Sequence, residues 1–498
     1  MILVYLNKEN FENDVHALVK AFFPSEHVSV CITDKLQKIT DGVVGSNDMS
    51  AMSLCICVEY QELQIAAALY LPETGNNLKK INEIVFPVKL DDRKTARNLL
   101  KQNLYTMLSD YTGRTLPWGT LTGVRPTKIP MSMLEGGRAR QDIADAMMCT
   151  YNVSKEKADL SIDIAKKELE LLNKLDYKNG YSLYIGIPFC PSTCLYCSFT
   201  SYPLSAWAER IDDYLDALEK ELASMAELLS EKSLNCIYIG GGTPTTLTPG
   251  QLSRLLACVE SKFDLSKLLE YTVEAGRPDS ISKEKLEVIR AYGITRISIN
   301  PQTMKQQTLE LIGRHHTVEQ TRDSFWLARG MGFNNINMDL IVGLPNETLT
   351  DVHNTMGELR KMEPDNITVH SLAIKRASRL NINKEEYAGL QIVNTQEHLD
   401  AAAQVCGQMG MHPYYLYRQK NMAGNFENVG YAKDGKEGLY NVLIMEEKQS
   451  IVACGAGSVS KRVYPDGRIE RSENVKDVAL YIEKIDEMIE RKRKMLMD

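Results

Sequence analysis

From Tyr181 to about residue 375 the chain alternates short apolar runs with longer amphipathic stretches, and this alternation constrains its fold more than any other feature. The runs YSLYIGIPF, NCIYIGG, EYTVEA, TRISINPQ, INMDLIVG and NITVHSLA are apolar on both faces, the composition of strands covered on both sides. Between them the spacing predicts helices over 206–230, 250–262, 282–291, 305–331 and 348–362. In the first of these, Ile211, Leu215, Leu218, Leu222, Met225 and Leu229 recur at intervals of three and four. Strands joined by helical crossovers build a parallel sheet, and six such units curl it into a barrel that stays incomplete. In such folds the chemistry gathers at the carboxyl ends of the strands, where every unusual motif of this chain falls.

The flanking regions have other periods. Residues 1–165 hold a strand-then-helix opening, the alternating runs AMSLCICVEY and LQIAAALYL, and helical stretches such as RKTARNLLKQNLYTML. They read as a small α/β or α+β accessory domain with a helical connector. Its Pro/Gly-punctuated segment 115–130, with Trp118, Arg125 and Lys128, reads as an ordered loop covering an interface, contact with an anionic substrate being the alternative. The barrel core is expected over 176–375. Residues 376–498 read as a mixed α+β cap over the substrate: a helix at about 383–410, strands around YYLYR, GLYNVLIME and SIVACGAG, a hairpin turning on Asp466 and Gly467, and a final amphipathic helix. The basic end of that helix, ERKRKMLMD, reads as solvated and complementary to the helix dipole.

Composition narrows the function classes. A chain of 498 residues with 44% hydrophobic content can bury a large core, and a formal net charge of -7 argues against nucleic-acid binding through a bulk basic surface. No apolar run reaches the length of a membrane span, and the opening MILVYLNKENFEND turns polar too early for a secretion signal, so a cytoplasmic protein is expected. The eleven cysteines are odd in number and lack framework spacing, which predicts reduced thiols. Cys55, Cys57, Cys236, Cys258, Cys406 and Cys454 sit among apolar neighbours as small buried hydrophobes.

One group of cysteines differs. IPFCPSTCLYCSF (187–199) clusters Cys190, Cys194 and Cys197. A structural zinc site wants four ligands, and a CxxC redox pair has no use for Cys190. A cubane iron–sulfur cluster uses one thiolate per iron, so three cysteines would leave one iron open. Further along, a strand ends in GGGTP (240–244), where glycines allow close backbone approach to a ligand. Other strand ends carry Glu274, Gln302 and Asp339, with Arg314 in LIGRHHT. A polar group so placed either points into the barrel mouth or pairs structurally. His315 and His316 read as packing or loop residues, with substrate contact or proton delivery as the alternative.

The triplet, with Tyr196 before its third cysteine, resembles the cluster motif of the radical S-adenosylmethionine (SAM) enzymes. Within that superfamily YIGIPFC, GGGTPT, INPQ, GRHHT and MDLIVGLPNET resemble, in order, the oxygen-independent coproporphyrinogen III oxidases, and the layout is most similar to the HemZ-type branch. The resemblance implies an α/β fold, a partial (β/α)6 radical SAM barrel. It implies a 4Fe–4S cluster on Cys190, Cys194 and Cys197 whose open iron is chelated by SAM, and one-electron cleavage of SAM to a 5'-deoxyadenosyl radical. It further implies contacts to that SAM from Tyr184, Gly241, Glu274, Ala373 and Val459, and to a second SAM from Tyr196, Gly242, Thr243, Gln302, Arg314 and Asp339. No residue is assigned as catalytic.

The family reaction turns two propionates of coproporphyrinogen III into vinyls: a hydrogen β to the carboxylate is abstracted, an electron departs and carbon dioxide leaves. The implied partners are this tetrapyrrole and an electron donor such as flavodoxin or ferredoxin. A tetra-anionic substrate needs cations, for which Arg314, Lys375, Arg376, Arg379 and Arg418 are candidates. Relatives that degrade or alkylate heme, or carry heme as chaperones, are the alternatives. The chain departs from the family at Gly186, where a histidine is frequent, and at SFTSY, where a further cysteine is common. LYNVLIMEE has Tyr440 and Asn441 but lacks the histidine and tryptophan of the chaperone signature, which argues against heme carriage.

Overall fold

The computed structural model describes residues 1–34, 36, 52–73, 77–375, 377–383, 385–387, 389–419 and 426–497. It divides into two compact units, Met1–Ile162 and Asp163–Asp498.

In the first unit, strands β1 (Ile2–Leu6), β2 (Val28–Ile32), β3 (Leu54–Tyr60), β4 (Gln64–Pro72) and β5 (Leu78–Pro87) form one sheet in the order β2-β1-β3-β4-β5. β1 runs parallel to both its neighbours, and β3, β4 and β5 are antiparallel. Alternate residues of β1 explain the two cores. Ile2, Val4 and Leu6 pack with the helices Glu12–Phe22 and Arg93–Thr112, while Leu3 and Tyr5 join Cys55, Cys57 and Tyr70 on the other face. In the 115–130 segment Trp118 is fully buried, and a side chain at Gly119 would come within 2.0 Å of the Tyr151 carbonyl. This tight packing accounts for the segment's glycine and tryptophan.

The second unit is built on an eleven-stranded sheet. Strands β6 (Gly180–Ile187), β9 (Ser233–Gly241), β10 (Glu270–Gly276), β11 (Arg296–Ile299), β12 (Asn335–Val342) and β13 (Asn366–Ser371) are parallel neighbours in chain order, and each matches one predicted run. Two short strands, β7 (Phe189–Cys190) and β8 (Tyr202–Pro203), pair separately around the cysteine loop. The barrel is open. Beyond β13 the sheet continues through β15 (Asn428–Ala432) and β14 (His412–Tyr417), both antiparallel additions. Beyond β6 it continues through β16 (Ser450–Cys454), which is parallel, and the hairpin of β17 (Val459–Val463) and β18 (Ile469–Glu473). The hairpin turn places Gly467 at φ 84°, a left-handed conformation suited to glycine. Among the described residues no helix is long and apolar enough to cross a membrane.

Four local expectations change. The 305–331 stretch is two helices, Gln306–Leu311 and Val318–Gly330, because Gly313 turns left-handed at φ 76° and Thr317 starts the second helix with a capping box. The 383–410 stretch contains the helix Gln396–Gln408, preceded by Arg379–Ile382. GLYNVLIME is not a strand but the helix Leu439–Glu446. An apolar run of this length reads equally as strand or buried helix, and here the Glu270 carboxylate on β10 accepts the backbone N–H of Leu439 (2.5 Å) and of Tyr440 (3.4 Å), capping the helix from a distant element. Finally, the basic end of helix Ile485–Met497 is not wholly solvated: Lys492 is fully buried and paired with Glu221.

Candidate active site

The site arises from strand periodicity. Each of β6, β9, β10, β12 and β13 is almost wholly buried, yet near its carboxyl end one residue is only half-buried: Tyr184, Tyr238, Glu274, Asp339 and His370 respectively. These side chains line one cavity of about 790 Å3, in the upper part of the range for cofactor and ligand pockets. The three cysteines line it too. So do Tyr196, Gly241, Gly242, Thr243, Gln302, Arg314, Ala373 and Val459, so every residue expected as a cluster or SAM contact reaches the same space, while His315 and His316 stay outside the lining. Of the cation candidates, Arg314 and Lys375 are in the lining and Arg379 is exposed outside it. Arg418 is buried elsewhere, its guanidinium held below its usual range by burial, and Arg376 lies outside the described residues.

The cysteine loop is held by its backbone. Gly242 and Thr243 donate their N–H groups to the carbonyls of Ile187 (2.7 Å) and Phe189 (2.8 Å), locking the glycine-rich strand end to the loop's base. A Cβ on Gly242 would lie 2.6 Å from the Phe189 carbonyl, so this approach requires glycine. On the other side, the buried Arg277 donates to Ser192 O (3.1 Å) and Oγ (2.8 Å) and is fixed by the Asp279 carboxylate at 3.0 and 2.7 Å. Ser192 Oγ donates to the Gly313 carbonyl (2.8 Å), and the Leu195 N–H to that of Ile312 (2.9 Å). Thus the GRPD and IGRHH segments act first as a clamp on the cysteine loop from Ser192 to Leu195. Arg277 and Ser192 escape sequence reasoning as site residues. The only local signal is a charged residue directly after an otherwise apolar strand.

The donor set fits an iron–sulfur cluster. Thr243 Oγ1 lies 3.5 Å from Cys190 Sγ, and the thiols otherwise face the cavity. Burial pushes the Cys190 thiol up to about 11, with Thr243 and Arg277 opposing, and burial also raises Cys197. Metal binding must therefore displace protons from the thiols. Among the described residues no three His, Cys, Asp or Glu side chains converge as for a single ion, which is not the geometry of a closed zinc site. Gln302 stands at φ 66°, a conformation costly for a residue with a side chain, and its buried Oε1 and that of neighbouring Asn300 Oδ1 have no protein partner. Both residues line the cavity.

The electrostatics divide the acids. Burial, with the nearby Asp339 charge, raises the Glu274 carboxyl to about 7, although Tyr238 donates to it. Partial burial pushes Asp339 the same way, but His370, 3.7 Å from its Oδ2, and Asn337, which donates at 2.7 Å, hold it below the usual carboxylate range. Tyr238 stacks on Tyr440 with centroids 4.6 Å apart, and Tyr184 lies nearly parallel to both. Tyr417 hydroxyl is 3.3 Å from His370 Nδ1. Arg314 donates to the Asn300 carbonyl (2.7 Å) and the Tyr196 hydroxyl (3.3 Å). His316 is buried beside the clamp, and burial with Arg314 lowers it to about 3, so it packs as a neutral ring.

A half-open parallel barrel carrying three cysteines on the loop after its first strand defines a radical SAM protein, and the model of the radical SAM superfamily matches residues 184–359. The oxygen-independent coproporphyrinogen-III oxidase-like protein HemZ of Bacillus subtilis is 40% identical over 430 residues, covering 85% of this chain and 86% of that protein. The heme chaperone HemW of the same organism is 32% identical over 61% of this chain and 76% of its own length. The solved coproporphyrinogen III oxidase HemN of Escherichia coli, a radical SAM enzyme, shares the fold with a TM-score of 0.50 at 23% identity, covering 62% of this chain and 70% of that one. The chain belongs to the oxygen-independent coproporphyrinogen III oxidase-like family of HemZ type. Its superfamily uses a 4Fe–4S cluster and SAM.

Proposed function

We propose that this protein oxidatively decarboxylates the propionates of coproporphyrinogen III to vinyls, giving protoporphyrinogen IX. The observation that carries the reading is the single cavity onto which the cysteine loop, the glycine-rich strand end and the carboxyl ends of the parallel strands all open. We assign Cys190, Cys194 and Cys197 as cluster ligands. Tyr184, Gly241, Glu274, Ala373 and Val459 contact the cluster-bound SAM, and Tyr196, Gly242, Thr243, Gln302, Arg314 and Asp339 contact a second. The bound cofactors supply a carbon radical able to take a hydrogen atom from substrate. The chain's own part is to hold the cysteine loop through Arg277 and Ser192 and to offer the Glu274 carboxylate to the cationic SAM. Residues 376–498 serve as the substrate-covering region. The setting is the cytoplasm, with flavodoxin or ferredoxin as electron donor.

Anaerobically reconstituted protein given SAM, a reductant and coproporphyrinogen III should form protoporphyrinogen IX together with methionine and 5'-deoxyadenosine. SAM cleavage without that product would remove this substrate. Cys194→Ala should lose the intact cluster and all turnover; retained activity would overturn the ligand assignment.

Similarity to the heme chaperone supports a second reading, heme carriage without turnover. It predicts stoichiometric heme binding and no vinyl product. Against it, helix Leu439–Glu446 offers Tyr440 and Asn441 to the cavity and no histidine.

A further inference from the structure

Four cations line the cavity among the described residues: Arg277, Arg314, Lys375 and Lys461. Three are already engaged. Arg277 is paired with Asp279 and holds Ser192, as described. Lys461 Nζ lies 3.0 Å from Glu447 Oε1. Arg314 donates to a carbonyl and to the Tyr196 hydroxyl. Lys375 differs: no carboxylate, carbonyl or hydroxyl of the described residues accepts from its ammonium, which sits 5.6 Å from the centre of the Phe199 ring. Phe199 is itself unusual, a large apolar side chain left 69% exposed on the cavity wall two residues beyond Cys197.

A half-buried ammonium beside an aromatic face and the Cys197 thiol, with no hydrogen-bond acceptor among the described residues, is poorly compensated. An anion from outside the chain would complete it, and Phe199 beside it would receive a flat apolar body. We propose that Lys375 and Phe199 form a subsite for one propionate arm of the substrate, the carboxylate on Lys375 Nζ and the adjoining pyrrole against the Phe199 ring. The inference rests on the tetrapyrrole reading above. The carboxylate of the cluster-bound SAM is used on the open iron in the family's binding mode, and the carboxylate of a second SAM has no need of an exposed aromatic. The proposal also selects among the cations expected from the sequence. Arg379 and Arg418 lie outside the lining, and Arg314 is buried, with two of its donors held by the Asn300 carbonyl and the Tyr196 hydroxyl.

The test is an equilibrium titration of the anaerobic, cluster-loaded full chain with coproporphyrin III, the stable oxidised tetracarboxylate, and with its uncharged tetramethyl ester. The unaltered protein should bind the acid about tenfold more tightly than the ester, the scale of one charge-assisted contact. Lys375→Met should abolish that preference by weakening the acid alone, and Lys375→Arg should restore most of it. Phe199→Ala should weaken acid and ester alike. Lys375→Met that binds the acid as tightly as the unaltered protein would overturn the subsite, as would a loss falling on SAM affinity or on iron content instead. If the unaltered protein binds neither porphyrin, the tetrapyrrole reading fails and takes the subsite with it. If it binds or converts the tetrapyrrole while Lys375→Met is unaffected, only the subsite fails.

Discussion

Two glutamates of the barrel unit, one fully enclosed and one half-buried at the cavity, teach opposite lessons. Glu221, on helix Ile211–Leu228, is fully enclosed and receives the Gly455 N–H (2.8 Å), the Tyr481 hydroxyl (2.6 Å), the Asn474 amide (2.9 Å) and the Lys492 ammonium. Its charge is neutralised and its lone pairs are used, so it pins helix Ile485–Met497 and the Gly455 loop together. Glu274, on β10, receives the Tyr238 hydroxyl and the Gly241 N–H but no cation, has Asp339 as a like-charged neighbour, and its carboxyl is raised to about 7. A buried acid matched by a cation is architecture, and one facing a cavity without a cation is poised for a cationic ligand.

The contrast can be broken experimentally. The largest effect is expected at Glu221: Glu221→Ala strands the Lys492 charge and should cost about 3–5 kcal/mol of stability in denaturant unfolding. Equal loss from Glu274→Gln would erase the distinction. Instead Glu274→Gln should leave the unfolding midpoint unchanged or raised, and weaken SAM binding about tenfold or more, the scale of a lost charge-assisted hydrogen bond.

The pH dependence sharpens the point. The folded carboxyl of Glu274 lies above its unfolded value, so its contribution to stability is fully present below the unfolded value of 4.5 and is lost as pH rises through about 7. A cationic ligand reverses that preference for the neutral form. SAM affinity should therefore rise about tenfold per pH unit up to about 7 and then level off, a profile that Glu274→Gln flattens. The smallest effect belongs to Tyr238→Phe. Removing this donor should move the inflection upward by about one pH unit or less, and a downward move would refute the role given to Tyr238.

Much of the site was legible because its signals are local. The cysteine spacing, the glycines at 240–242, and Glu274, Gln302 and Asp339 at strand ends each occupy a few adjacent residues, and the period of two in each strand sends them to one cavity. Arg277 and His370 were missed for a different reason. A lone arginine after a strand does not reveal the Ser192 carbonyl it meets 85 residues away, and His370 looks like any polar interruption of NITVHSLA until Asp339 is placed beside it. GLYNVLIME misled because an apolar run does not show whether its backbone will be capped by Glu270, 169 residues earlier in the chain.

The amino-acid sequence alone determined the parallel sheet, its open curl and the three-thiol loop, since periodicity and spacing act through neighbours along the chain. The tertiary structure decided what becomes of each charge. Lys492 is buried because Glu221, 271 residues away, meets it, while Lys375 is left beside Phe199 because no acidic side chain of the described residues meets it. The cost of a buried charge depends on donors and acceptors brought together by the fold, and sequence separation carries no record of them.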